Sequence, residues 1–226
     1  MDTVYQAVSE LDSRSRQAYG MLRTNIKFYG EDIKSIVFTS TLAKDGKSEV
    51  SYHVAKGFAD AGKKVVYIDA NIRNQSFNKR FGIDQEVYGL CDYLREERII
   101  SDIVYKSGIS QLYLIYAGKD LGDATELLEK DLFKELLKTL SGVCDYIIID
   151  CASMDKNIDA VIIAKECNAS VIVMEPGKTS YKKAQKMIEH LEKSNCKILG
   201  CVFNKVEVKK KIITWKNILN WTNLNY

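Results

Sequence analysis

The sequence predicts an α/β domain of three layers, with a mostly parallel central sheet and helices on both faces. Three observations carry this. Short apolar runs alternate with amphipathic helical patterns along the chain. The first run, Ser35 to Phe38, leads through a loop into Gly46-Lys47-Ser48 and a helical pattern, the layout of a nucleotide phosphate site. Two later runs end in carboxylates, Asp69 and Asp150, where such a site needs them.

Taken in order, residues 1–12 carry no pattern. Ser13 to Phe28 reads as a helix with Ala18, Leu22 and Ile26 on its inner face, and Gly30-Glu31-Asp32 ends it. After the first strand and Gly46-Lys47-Ser48, a helix carries Val50, Val54, Phe58 and Ala61 on one stripe and closes with a glycine cap at Gly62. Val65 to Ile68 is a second strand, followed by Asp69-Ala70-Asn71-Ile72-Arg73. The crossover between these strands has the length of a βαβ unit. Phe77 to Ile83 and Gly89 to Ile103 read as short helices and loops, and Leu112 to Ile115 as a third strand. Ala124 to Leu140 is amphipathic, with Leu127, Leu128, Leu132, Leu136 and Leu137 inward. Asp145 to Asp150 is the most apolar strand, Ile158 to Cys167 a helix and Ala169 to Met174 a fifth strand. Ser180 to Lys193 is a further helix and Ile198 to Asn204 a sixth strand.

Composition narrows the classes. The chain of 226 residues suffices for one cored domain, with 46% apolar residues and a single proline, Pro176. No apolar run is long enough to span a bilayer, and Met1-Asp2-Thr3-Val4 lacks a signal-peptide core. The six cysteines form no CxxC and read as buried thiols of a reducing compartment. His53 and His190 lie far apart and assemble no catalytic set. Residues 205–226 carry net charge +4 and the preceding 204 residues −1, so the body is not a nucleic-acid binder. Two parts follow: a domain over residues 1–204 and a basic, Trp-containing tail over 205–226. In the tail, Ile212, Trp215 and Leu219 fall at helical spacing behind Lys209, Lys210 and Lys211. That composition suits contact with a membrane surface or an adaptor, a helix docked on the domain, or a solvated basic end.

At the predicted site, backbone N–H groups and Lys47 suit β and γ phosphates. Ser48, Asp69 and Asp150 form an oxygen set for Mg²⁺, which keeps several waters and few carboxylates. Asp69 and Asp150 also suit helix capping after a strand. The strict loop pattern wants glycine where Thr41 stands.

Over about Ala18 to Asn204 the chain resembles the bacterial tyrosine kinases of capsular and exopolysaccharide synthesis, the CpsD/CapB type. The motifs are Leu22-Arg23-Thr24-Asn25-Ile26, Gly46-Lys47-Ser48, Val66 to Arg73 as Walker A′, Asp145 to Asp150 as Walker B, and Gly200 to Lys205 in the last strand. The resemblance implies a P-loop fold and protein-tyrosine autophosphorylation with ATP and magnesium. It implies nucleotide contacts from Lys44, Asp45, Gly46, Lys47, Ser48 and Glu49, and magnesium held by Ser48, Asp69 and Asp150. Lys47, Asp69 and Asp150 become the catalytic set, with Asp69 able to accept the tyrosine proton. It also implies a membrane-embedded co-polymerase or adaptor whose cytoplasmic end activates the kinase, tyrosine-containing protein substrates, self-association, and a cytoplasmic place at the inner membrane face. Tyr226, the one tyrosine beyond Tyr181, is the candidate for self-phosphorylation.

The chain departs from the family pattern at several working parts. Asn71 replaces an aspartate, Lys44 a glycine and Glu49 a threonine, and Cys151-Ala152 replaces prolines after Walker B. Lys44 would be strained if its site needs positive φ. The self-association motif is reduced to Gln17, Gly20 and Arg23, and the C-terminal tyrosine cluster is absent. A nucleotide-binding regulator or scaffold of the same assembly is therefore the alternative. A partitioning-type ATPase ranks lower, because its signature lysine falls at Leu42.

Overall fold

The computed structural model describes residues 11–73, 87–119, 122, 124–155 and 158–206. Phe77 to Ile83 and most of the basic tail, with Tyr226, lie outside them. Among the described residues, seven strands form one sheet in the order β3-β4-β2-β5-β1-β6-β7. They are β1 (Ser35–Ser40), β2 (Val65–Ala70), β3 (Val104–Lys106), β4 (Leu112–Ile115), β5 (Tyr146–Cys151), β6 (Ala169–Met174) and β7 (Lys197–Phe203). All neighbours pair in parallel except β3 with β4. The expected six strands are thus joined by a seventh, the short β3, which follows a helical turn and hairpins onto β4 around Gly108.

The helices are α1 (Ser13–Phe28), α2 (Lys47–Asp60), α3 (Leu90–Leu94), α4 (Ile100–Ile103), α5 (Ala124–Leu128), α6 (Asp131–Ser141), α7 (Asp159–Glu166) and α8 (Tyr181–Glu192). Asp12 caps α1 by accepting the Ser15 N–H at 2.6 Å. Gly62, at φ +79°, ends α2: its N–H bonds to Ala59 O and that of Lys63 to Phe58 O, the Schellman pattern.

One face of the sheet packs on α1 and α2 through Ile26, Phe38, Val54, Phe58 and Tyr67, with the Phe58 and Tyr146 rings stacked at 3.9 Å. The other packs on α3, α5, α6, α7 and α8 through Leu90, Leu127, Phe133, Leu136, Ile163 and Leu191. The central strands β1 and β2 are buried at every position, as expected of parallel strands covered on both faces. β1 runs two residues beyond Phe38, because Thr39 and Ser40, though polar, are buried and bonded to the carbonyls of Ala152 and Leu42.

Three local expectations are corrected. Ala18 is exposed, and α1 leans on the core through Tyr19, Leu22 and Ile26 instead. Ala61 is exposed, because α2 ends at Asp60. The stretch 124–140 is two helices: Lys130 is extended, with its Nζ bonded to Leu94 O at 2.9 Å. α5 then packs on α3 and α7, and α6 on β5 and α7.

Arg23, the remnant of the self-association motif, donates from Nη1 to Gly57 O and so ties α1 to α2. No helix of the described residues is long and apolar enough to cross a membrane.

Candidate functional site

β1 lies between β5 and β6, so its carboxyl end is where the chain order of the sheet reverses, and ligands of open α/β sheets bind there. Residues 41–46 form the loop at that point. Asp45 accepts the Leu42 N–H at 3.1 Å, and Thr41 Oγ1 meets Thr179 Oγ1 at 3.0 Å. Gly46 has φ +87° and starts α2. Gly46 and the first residues of α2, Lys47 and Ser48, stand where a helix leaves N–H groups without intrahelical partners, the arrangement that takes an anion. A Cβ on Gly46 would come within 2.0 Å of Asn204 Nδ2, so any other residue here would displace the Asn204 side chain as well as strain the backbone.

Lys47 is buried, with Nζ 3.9 Å from Asp150 Oδ1. Asp150 on β5 is the direct register partner of Asp69 on β2. Three sequence-distant candidates, Lys47, Asp69 and Asp150, therefore converge, with Ser48 one residue away on α2 and partly exposed. Asp69 Oδ1 accepts the Asn71 N–H at 3.1 Å, while Asp69 Oδ2 is buried with no hydrogen-bond partner. Burial, and then the neighbouring Asp150 charge, push the Asp69 carboxyl up to about 8. A buried oxygen without a donor beside a second carboxylate fits a hard cation that brings its own water and phosphate ligands. Among the described residues no group of three acidic, histidine or cysteine side chains forms a metal cluster. Cys151 donates from Sγ to Phe38 O, and burial holds its thiol up at about 12, so it is inert beside the site.

Lys44 is exposed at φ +71°, and Glu49 sits in the first turn of α2. A lysine in the left-handed region is strained by about 1–2 kcal/mol. Lys44→Gly is therefore expected to raise the thermal midpoint by the equivalent of about 1 kcal/mol, after the flexibility glycine adds to the unfolded chain. A lowered midpoint in a thermal melt would show that the Lys44 side chain contributes more than its backbone costs.

Contacts that sequence reading missed hold the loop and the segment after Asp69. Asn204 Nδ2 donates to Asp45 O at 3.0 Å, and Lys205 Nζ to Lys44 O at 2.5 Å and Glu175 at 3.0 Å. Burial and the nearby Glu175 raise the Asp45 carboxyl. Arg73 binds Asp159 through Nε at 2.8 Å and reaches Thr125, which ties the segment after Asp69 to α7 and α5. The only signal for the first set was the motif Gly200 to Lys205; Asp159 and Thr125 gave none. At Leu42, where a partitioning ATPase would place its lysine, the backbone N–H is bonded within the loop.

Known proteins resemble this chain over most of its length. The family described as AAA domain matches residues 34–212. The tyrosine-protein kinase CpsD of Streptococcus agalactiae is 33% identical over 202 residues, covering 87% of this chain and 88% of that protein. The tyrosine-protein kinase CpsD of Streptococcus pneumoniae is 32% identical over 205 residues, covering 91% and 90%. Among solved structures, the chimerical protein CapA2B2 superposes with a TM-score of 0.82 at 24% identity, covering 92% of this chain and 94% of that one, which is a likeness of fold.

Proposed function

The chain belongs to the bacterial tyrosine-protein kinases of the CpsD type, and we propose that it transfers the γ-phosphoryl group of Mg·ATP to tyrosine hydroxyls and thereby regulates capsular or exopolysaccharide synthesis. The convergence of Lys47, Asp69 and Asp150 beside the Gly46-Lys47-Ser48 turn carries this reading.

Phosphoryl transfer asks a protein mainly for positioning and charge stabilisation. The free N–H groups at the start of α2 cradle the phosphates. Lys47, the buried cation beside Asp150, would neutralise charge on the β and γ phosphates. Ser48, Asp69 and Asp150 would hold magnesium, which would neutralise phosphate charge there. Asp69, ionised once a cation offsets the Asp150 charge, would take the proton of an incoming tyrosine hydroxyl. Lys44, Asp45, Gly46 and Glu49 complete the nucleotide loop. A membrane-embedded co-polymerase or adaptor places the kinase at the inner membrane face and activates it. Tyr226 is the self-phosphorylation site, alongside tyrosines of other proteins.

The second reading is a nucleotide-binding regulator, favoured by Asn71, Glu49 and the strained Lys44. Incubation of the purified chain with Mg·ATP, with and without the adaptor's cytoplasmic end, followed by mass spectrometry for phosphotyrosine, separates the two. Phosphate on tyrosine supports the kinase; ATP binding without phosphotyrosine supports the regulator. Asn71→Asp sharpens the test. A carboxylate restored there is expected to raise phosphotransfer about tenfold, the effect of roughly 1.4 kcal/mol in the barrier. It also lowers apo stability, because Asn71 is buried close to Asp69. Initial rates and unfolding midpoints of the two forms measure both effects, and an unchanged rate counts for the regulator.

A further inference from the structure

A tyrosine accepts a phosphoryl group only if its ring and hydroxyl are free to enter another surface. Eleven tyrosines lie among the described residues. Tyr52, Tyr67, Tyr105 and Tyr116 are buried, and Tyr19, Tyr93, Tyr113 and Tyr146 are half-buried. Of the three exposed ones, two are engaged. Tyr29 donates from its hydroxyl to Leu199 O at 2.5 Å, and the Arg98 guanidinium lies 3.9 Å over the Tyr88 ring. Tyr181 is 84% exposed, against 41% for Tyr29 and 48% for Tyr88. Among the described residues it makes no hydrogen bond and no ring contact. A ring of this size left in water contributes nothing to the core, so folding does not explain it.

The surroundings of Tyr181 suit a phosphate. Tyr181 is the first residue of α8, with Lys178 before it and Lys182 and Lys183 after it, all exposed. The first turn of α8 holds no acidic residue, and the nearby Glu175 is already paired with Lys178 and Lys205. Lysines at a helix start oppose the helix dipole, so Lys182 and Lys183 do not serve the helix. An added phosphate there is favoured by the dipole and by the lysines together. The loop before Tyr181 touches the nucleotide loop, Thr179 Oγ1 lying 3.0 Å from Thr41 Oγ1. Tyr181 therefore stands on the same rim of the sheet as the nucleotide loop. Two copies meeting rim to rim would bring each Tyr181 toward the other's site.

We propose that Tyr181 is a phosphorylation site of this chain, delivered to the nucleotide site of a second copy; this rests on the kinase reading above. The receiving site is anionic, with Asp69, Asp150 and the nucleotide phosphates, and a tyrosine flanked by lysines complements it. Delivery within one chain does not fit the fold. Tyr181 opens a helix anchored by the buried Met187 and Leu191. Asp69 and Asp150 are 1% exposed, on β2 and β5, across β1 from β6. A ring standing in solvent at the start of α8 does not lie against them. In the transfer, the bond from Tyr181 Oη to the γ-phosphorus forms as the bond from that phosphorus to the β–γ bridging oxygen breaks. ADP leaves with that electron pair, and the phenolic proton passes to Asp69 of the receiving copy.

The test mixes the full active chain, labelled with ¹⁵N, with unlabelled Lys47→Met chain and Mg·ATP, so that mass spectrometry assigns each phosphotyrosine to a residue and to a copy. Phosphate is expected on Tyr181 of the Lys47→Met chain, and not on Tyr29 or Tyr88. Lys182→Gln with Lys183→Gln in that acceptor should lower labelling of Tyr181 about fivefold at low salt and little at high salt. Lys134→Gln with Lys138→Gln, on the exposed side of α6, should leave it unchanged. Phosphotyrosine at other positions with none on Tyr181 overturns this proposal and leaves the kinase reading standing. Phosphate on Tyr181 of the active chain alone, never on the Lys47→Met chain, overturns delivery between copies. No phosphotyrosine anywhere removes the kinase reading, and this site with it.

Discussion

Lys47→Met is expected to lower phosphotyrosine formation about 10³-fold, the scale on which loss of one preorganised charge donor costs a reaction. Lys47 is the buried cation beside Asp150, and its charge also reaches Asp69. Methionine keeps much of the apolar stem and its packing, so the fold should survive. What changes is the charge balance of the carboxylate pair. With the cation gone, the pair holds its shared proton more tightly, and the apo protein is expected to lose about 1–3 kcal/mol at alkaline pH. Phosphotyrosine by mass spectrometry and urea midpoints measure the two effects separately. Undiminished phosphotransfer in Lys47→Met would remove the site from the chemistry altogether.

Asp69→Asn is expected to abolish phosphotransfer and, at the same time, to stabilise the nucleotide-free chain above neutral pH. Asp69 titrates at about 8 in the fold against 3.8 in an ordinary environment. Between those values the folded state keeps a proton that the unfolded state has lost, so stability falls as pH rises through that window. Every pH step of one across the window corresponds to about 1.4 kcal/mol, which makes the full effect several kcal/mol. Asparagine resembles the protonated acid, so the variant should match the parent near the acid end and exceed it near the alkaline end. Denaturant midpoints across the window decide this, and parallel curves for the two proteins would mean that Asp69 is ionised throughout. The raised Asp69 carboxyl also predicts that Mg·nucleotide binding near neutral pH releases about one proton. Calorimetry in buffers of different ionisation enthalpy reads that number directly.

The local elements are legible in the order of the residues. Central parallel strands covered on both faces must be apolar at nearly every position, so Ser35 to Phe38, Val65 to Ile68 and Ile147 to Ile149 stand out as strands. Gly62 marks the end of α2 because only glycine closes a helix there without strain. Lys44 is suspect because it stands where the resembled family has glycine, and its φ is indeed positive. The carboxylates at strand ends are legible too, because topology puts the carboxyl edge of every parallel strand on one side of the sheet.

Side-chain partners are not legible in this way. A period of 3.6 continues through Leu127, Leu128, Leu132 and Leu136, and nothing in it reveals that Lys130 bonds Leu94 and divides the helix. The face of α1 is displaced by one residue, from Ala18 to Tyr19, because a large ring finds the core where a methyl group does not. The sequence by itself determined six of the seven strands, the phosphate turn and the identity of the acidic groups, all of which depend on contiguous residues. Only the tertiary structure decided that β5 inserts between β2 and β1. That order brings Asp69 into register with Asp150, places Lys47 beside them, and lets Asn204 and Lys205 hold the loop from a chain segment about 160 residues away. These depend on long-range pairing, which buries two carboxylates together and so sets their charge, a property that no stretch of sequence carries alone.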